Sequence, residues 1–477
     1  EIHERLVGSE MCIRDRITVN GKEVKKVMVD GKEFFSDDPK VASKNLPAKM
    51  IDKLQVLDKK SDMAQMTGFD DGEEETVINL TVKPGMKQGW FGNAYGGYGS
   101  KDRYEGNAMV NRFVNNDQIT FMGGANNTNN MGFSDLASTM FSGMGGGGGR
   151  RGGFGAGSGI TSSGNAGLNF SKEFKPDKLT LGGNTRYSHS DNDARSKSDR
   201  QNILPGDSSS YDNSEAMSRT KSDNFGVDFR LEWKPDTMTQ LIFRPSFSLS
   251  HSMNDNFSDA TTLDNERDTV NTNKSSNYSE SNGYNLNASI DFSRKLNNKG
   301  RVFSATLSGG NSDSYSDGMN RSDIVYFNQT DALKNSIIDQ RSRYDNKGFN
   351  YRAYVSWVEP IGHNNFIQAT YSISQRKQEA LKNVYNQDAD GIYNVLDSAY
   401  SQSYRNNFIS QRASLSFKSQ RAKFNYTIGL NLDPSYSSSE NFVGDTTLSK
   451  ITRKVVNLSP ICLLYTSPSP RDAHESR

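Results

Sequence analysis

The chain has 477 residues, with 57 basic against 56 acidic side chains and a net charge of +1, so it lacks the electrostatic field that nucleic-acid binding requires. Only 33% of its residues are hydrophobic and the mean hydropathy is −0.76; no apolar run approaches the roughly 18 residues of a membrane helix, which excludes helical spans. Aromatic residues still reach 10%, which argues against a disordered polar chain.

The chain opens on EIHERLVGSEMCIRDR (1–16) and closes on CLLYTSPSPRDAHESR (462–477). Back-translated, the two are opposite strands of one DNA stretch. ATG-TGT-ATA-AGA-GAC encodes Met11 to Asp15, and its complement, extended by a few bases and read in its own frame, gives TGT-CTC-TTA-TAC-ACA-TCT, which encodes Cys462 to Ser467. The flanks LVGSE (6–10) and SPSPRD (467–472) pair antisense in the same way. This DNA resembles a transposase adapter used in sequencing libraries, so both ends are expected to be adapter-derived and the natural chain to run from Ile17 to Ile461. Cys12 and Cys462, the 2 cysteines, then fall outside it, which leaves no disulfide framework, thiolate metal site or cysteine nucleophile.

Residues 17–85 are richer in Lys and Asp and read as a small α/β unit. Val27-Met28-Val29-Asp30-Gly31 is a strand entering a turn, Asp38-Pro39 starts a helix into Lys40 to Asn45, Leu46-Pro47-Ala48 leads into Met50 to Leu57, and Thr76 to Val82 is a further strand.

Over residues 86–461 the period changes to two, that of a β-strand. Phe225, Val227, Phe229, Leu231 and Trp233 alternate with Gly226, Asp228, Arg230 and Glu232, so one face suits lipid and the other water. The same division recurs at Tyr284, Leu286, Ala288, Ile290 and Phe292, at Phe349, Tyr351, Ala353, Val355 and Trp357, and at Phe424, Tyr426, Ile428, Leu430 and Leu432. About 13 such strands, plus the start of another at Val455 to Ile461, are long enough to cross a bilayer when tilted. The expected fold is mainly β: a transmembrane antiparallel up-and-down β-barrel, partial, preceded by the small α/β unit.

Short turns at 175–178, 234–237, 297–300, 359–362 and 419–421 alternate with long polar stretches at about 127–163, 191–221, 254–281, 317–343, 379–403 and 437–454. Outer-membrane barrels have that asymmetry, with short periplasmic turns and long external loops. Phe113, Phe174, Trp233, Phe292, Trp357 and Phe417 stand just before the short turns and are expected to form an aromatic girdle at the membrane interface.

The stretch KVMVDGKEFFSDDPKVASKNLPAKMIDKLQVLDKKSD followed by GFDDGEEETVINLTVKPGMKQGWFGN resembles the plug-to-barrel junction of TonB-dependent receptors, in the outer-membrane β-barrel family common in Bacteroidetes. The resemblance spans Ile17 to Ile461. It implies a plug folded inside a barrel of about 22 strands, of which this chain carries the C-terminal part of the plug and a partial wall. It further implies integral outer-membrane residence, a TonB complex engaged through a missing N-terminal region, an unknown small ligand or glycan as cargo, and a possible surface lipoprotein partner. An open wall leaves backbone groups unsatisfied in lipid, so the chain as given is expected not to insert stably.

Within the polar stretches, Gly145 to Gly159 is glycine-rich but lacks the Gly-Lys-Ser/Thr ending of a phosphate loop, and reads as flexible chain. Asn386, Asp388, Asp390, Gly391 and Asp397 fall near calcium-loop spacing, with Asn in place of the first Asp and Asp in place of the final Glu; an Asp-Gly turn explains most of that segment. His189, His251 and His363 lie far apart in sequence with no metal-ligand partner at useful spacing, and no nucleophile elbow or paired-carboxylate signature occurs. No cofactor and no catalytic residue is expected. Asp228, Arg230 and Glu232 solvate an interior. Two functions compete: ligand uptake by energy-coupled plug movement, and a surface adhesin or assembly scaffold on the same barrel. A passive porin is disfavoured by the segment ahead of the wall.

Overall fold

The computed structural model describes residues 11–12, 16–19, 22–24, 26–33, 51–60, 74–83, 88–114, 117–129, 159–176, 178–203, 209–327, 336–362, 364–421, 424–444 and 446–466. Among them every regular element is a strand, so the helix expected at 40–45 and the glycine run up to residue 158 lie outside the described residues.

Near the start, β1 (Met11–Cys12), β2 (Arg16–Val19) and β3 (Lys22–Glu23) form a three-stranded sheet. A four-stranded sheet follows, in the order β5-β4-β7-β6, from β4 (Lys26–Val29), β5 (Lys32–Glu33), β6 (Ile51–Lys60) and β7 (Glu74–Val82). Residues 51–57, expected to follow a helix, are part of β6. Asp30 and Gly31 sit at φ 49° and 79°, the left-handed pair that a two-residue hairpin turn needs. The Asp30 carboxylate accepts the Val82 N–H at 3.1 Å and the Gly31 N–H donates to Asn79 Oδ1 at 2.8 Å, so the turn between β4 and β5 is pinned to β7.

The wall is one antiparallel meander: β8 (Gln88–Gly99), β9 (Arg103–Val114), β10 (Asp117–Asn126), β11 (Ile160–Lys175), β12 (Leu179–Asn202), β13 (Ser210–Asp236), β14 (Thr239–Leu263), β15 (Thr269–Lys295), β16 (Val302–Tyr326), β17 (Ser336–Pro360) and β18 (Asn365–Gln387). It continues through β20 (Ser403–Gln420), β21 (Phe424–Val443) and β22 (Thr446–Thr466), with β19 (Tyr393–Leu396) as a side branch on β18. Each wall strand pairs with its sequence neighbour, as the alternation of turns predicts. Among the described residues no ladder joins β8 to β22.

Four of the polar stretches read as loops are corrected by the structure, while residues 130–158 of the first lie outside the described residues. Most of 191–221 is paired strand, with Asp191 opposite Lys221 and Asn202 opposite Ser210, and 254–281, 317–343 and 437–454 are zipped in the same way. The 27 residues of β15 extend about 90 Å at roughly 3.4 Å per residue, far beyond what a bilayer core requires. The backbone ladder forms whatever the side chains are, so it runs on past the point where the apolar alternation stops.

The apolar positions meet in register across the wall. Leu168 stands opposite Phe121, Val227 opposite Phe247, Phe247 opposite Leu286, Ile290 opposite Leu307, Val355 opposite Tyr371, Leu415 opposite Leu430, and Leu432 opposite Leu458. This belt is exposed: Leu307 is 56%, Leu415 60% and Ile428 55% accessible. On the opposite face even serines are covered, Ser304 and Ser356 at 1% each. Small polar side chains bury while large apolar ones stay open only if the wall curves with its polar face inward. That is the inverse of a water-soluble sandwich and the arrangement of a wall against lipid.

Candidate functional site

The inner face near β8 to β10 carries the packing between the two sheets. Val24, Val27, Val29, Ile78, Leu80 and Val82 share one buried cluster with Met109, Phe113 and Met122, and Phe91 packs against it. Phe113 is 3% exposed and meets Phe91 edge-on at 5.1 Å, so it belongs to this core and not to the interface girdle, which corrects the expectation. Its register decides this: Phe113 shares its face with Asn111 and Met109, whereas Val110 points out. Trp233, Trp357 and Phe174 remain exposed, at 47%, 41% and 53%, as a girdle requires.

Further round, the inner face is a ladder of charge pairs. The guanidinium of Arg186 bonds Asp228 and that of Arg244 bonds Asp291, which also accepts Thr306 Oγ1 at 2.8 Å. Glu232 accepts Lys234 at 2.7 Å and Gln240 at 3.0 Å, and lies 3.4 Å from Arg230; Arg412 donates to Asp433 at 2.6 Å. The triplet Asp228, Arg230 and Glu232 thus sits within a neutralised network.

Beyond the belt, the polar ribbons are laced across strands. Asp191 accepts Arg219 at 2.7 Å, Glu379 accepts Arg405 at 2.8 Å, and Asp317 takes Arg341 through Nε at 2.9 Å and through a second nitrogen. The Arg341 and Arg219 hydrogen bonds hold the Asp317 and Asp191 carboxyls below the ordinary carboxylate range, against the opposing pull of partial burial. A depressed carboxyl stabilises the fold at pH values above its unfolded pKa and loses that contribution as pH falls through the folded one. Amide protection factors in 312–323 and 339–345, each taken relative to the intrinsic exchange rate at the same pH, are expected to stay flat from roughly pH 8 to 5 and to fall below about pH 4. Loss of protection already near pH 6 would assign the effect to histidine.

The calcium-spaced residues separate into two small systems. The Asp388 carboxylate accepts the N–H groups of Asp390 at 3.0 Å and Ile392 at 2.9 Å and the Asn394 amide at 2.5 Å, closing the turn at Gly391. Asp397 instead accepts Asn386 and Gln340 at 3.0 and 3.1 Å and the Ala399 N–H at 3.0 Å. Among the described residues no group of three or more His, Cys, Asp or Glu side chains has the geometry of a metal site.

The histidines are closer than the sequence implied. Register places His189 opposite Asp223 and Asp223 opposite His251, at the rim of the belt; His189 Nδ1 is 2.8 Å from Asp223 and the Tyr187 hydroxyl donates to it at 2.7 Å. No signal in the sequence reports this, because it depends on pairing between strands. His363 lies outside the described residues.

No protein-family model and no curated protein matches the chain. Among solved structures the chain is similar to the ferric citrate transporter FecA in its unliganded form, at 10% identity and a TM-score of 0.29, covering 92% of this chain and 70% of that one. It is similar to the open form of the ferric-catecholate import receptor Fiu from E. coli K12, at 10% identity and a TM-score of 0.27, covering 92% and 86%. The outer membrane protease OmpT from Escherichia coli also matches, at 9% identity and a TM-score of 0.19, over 62% of this chain and 99% of that one. Transporters and a protease match alike, so functional assignment rests on this chain's own residues.

Proposed function

We propose that the chain is part of an outer-membrane receptor that admits a small ligand past an inner plug, with residues 17–85 as the C-terminal part of the plug and 86–461 as part of the barrel wall. It resides in the outer membrane and performs no catalysis. The observation that carries the reading is the shared core: Val29, Ile78 and Leu80 of the small sheet bury against Met109, Phe113 and Met122 on the polar face of a wall whose other face is apolar. A passive pore has no use for an apolar seat on its inner face. Movement of the small sheet off that seat, driven by the TonB complex through a region ahead of residue 17, would open the path; a surface lipoprotein at the ribbons is a further partner. The adhesin or scaffold reading draws on the ribbons themselves, since β12 to β18 project polar strand well beyond the belt. Residues 1–16 and 462–477 are read as adapter-derived, although the ladder of β22 continues through 462–466.

The test is conductance in planar bilayers of the product of the intact gene, before and after deletion of 24–82. The expected result is a closed protein that becomes a stable large-conductance pore on deletion. Equal conductance in both forms would sink the plug assignment.

A further inference from the structure

We infer that the inner face of β17, β18 and β20 holds a binding site for a small organic anion, with Arg352 and Arg376 as its cationic centre and Phe408 as its apolar wall. The inference rests on the receptor reading above, because it takes this face to be the ligand path.

Register places Arg352 opposite Ser308 and Ser374, and Arg376 opposite Asn350 and Phe408. Ser374 and Arg376 are successive residues on one face of β18, so the two guanidiniums stand on neighbouring strands one diagonal step apart. Both are exposed on the polar face. They differ from the other arginines there: Arg186, Arg244 and Arg412 each bond a carboxylate, of Asp228, Asp291 and Asp433. Among the described residues no carboxylate lies within ion-pair distance of Arg352 or Arg376. The acids on nearby rows are already engaged, Asp291 by Arg244 and Thr306, and Asp433 by Arg412. Two like charges set side by side with no counter-charge, on a face that neutralises its others, form a receptor for an anion supplied from outside.

The surrounding residues narrow the class. A guanidinium offers parallel N–H donors that match the two oxygens of a carboxylate or phosphate, and Asn350, Ser308 and Ser374 add neutral hydrogen-bonding groups around them. Phe408 is 47% exposed on the same face, an aromatic surface where the other rows carry serine and asparagine. An acid group attached to a flat or aromatic body fits both parts.

The experiment is calorimetric titration of the intact gene's product, purified from outer membranes, with phenyl phosphate, benzoate and benzyl alcohol. One or both anions are expected to bind, benzyl alcohol to bind at least about tenfold more weakly, and the R352Q/R376Q double variant to lose about tenfold or more in anion affinity. The R352K/R376K variant should retain part of it, and F408A should reduce the preference of phenyl phosphate over inorganic phosphate. The phosphate and carboxylate arms identify which acid group is favoured. Equal affinity in the glutamine variant, or no anion binding by a wild type that is heat-modifiable and protease-resistant, would overturn the inference and leave the receptor reading standing. A product that does not assemble in the outer membrane overturns both.

Discussion

Substituting Val29→Asp is expected to detach the small sheet from the wall. Val29 is wholly buried, at 0% exposure, in the cluster that joins Ile78 and Leu80 to Met109, Phe113 and Met122. The described residues of that cluster are all apolar, so a carboxylate there must either ionise in an apolar core or take up a proton, a cost of several kcal/mol, about 3 or more. The sheet has four strands, one of only two residues, and among the described residues no second apolar core covers it. Exchange protection over 74–82 should collapse while that of β13 to β16 is unchanged, because those strands share no contact with the cluster. Leu80→Ala, which removes volume without adding charge, should weaken the same protection by about 2 to 5 kcal/mol. Full protection of 74–82 in Val29→Asp would show that the sheet does not use the wall as its core.

The second large effect separates the two faces of a single strand. Leu286 lies in the middle of the belt, 47% exposed and opposite Phe247, and Leu286→Arg should destabilise the assembled wall by about 2 to 4 kcal/mol, the cost of a basic side chain at mid-bilayer depth. Asn287→Arg moves the same charge one residue along to the inner face, opposite Ser246 and Gly310, and should cost under about 1 kcal/mol. Ser276→Arg keeps the outer face but lies in the ribbon, opposite Phe257 and Arg321, and should likewise be mild. Denaturant midpoints of the protein in lipid vesicles measure all three. A Leu286→Arg variant as stable as Asn287→Arg would show that lipid does not cover this face.

The difference between these positions was legible in the sequence. Leu286 and Asn287 occupy alternate places in a period-two pattern, and the short turns with Pro235, Asn297 and Gly362 mark where β14, β16 and β18 begin. The turn at Asn297 shows why such signals are reliable: its side chain accepts the N–H groups of Lys299 and Arg301 at 3.0 and 2.9 Å, and Gly300 takes φ 101°, so the chemistry is local. Where the pattern faded, inference faded with it. The stretch 254–281 carries only scattered apolar residues, such as Phe257, Leu263 and Val270, with no period-two run, and hydrophobic periodicity carries no information about a ladder held by backbone hydrogen bonds and by pairs such as Ser258 with Ser275.

The sequence by itself determined the sidedness of the wall, the order of its strands and the places of the short turns, because those follow from alternation and from turn residues acting on their neighbours, whereas the ends of the polar ribbons did not show in it. The tertiary structure decided which face is covered and by what. Phe113 looks like any aromatic before a turn until the small sheet is laid on it, and its burial depends on Val29 and Leu80, far away in the chain. The same holds for His189 and His251 flanking Asp223, and for Arg352 beside Arg376. Side chains on different strands become neighbours only through register, which is set by the pairing of whole strands and not by the residues that it brings together.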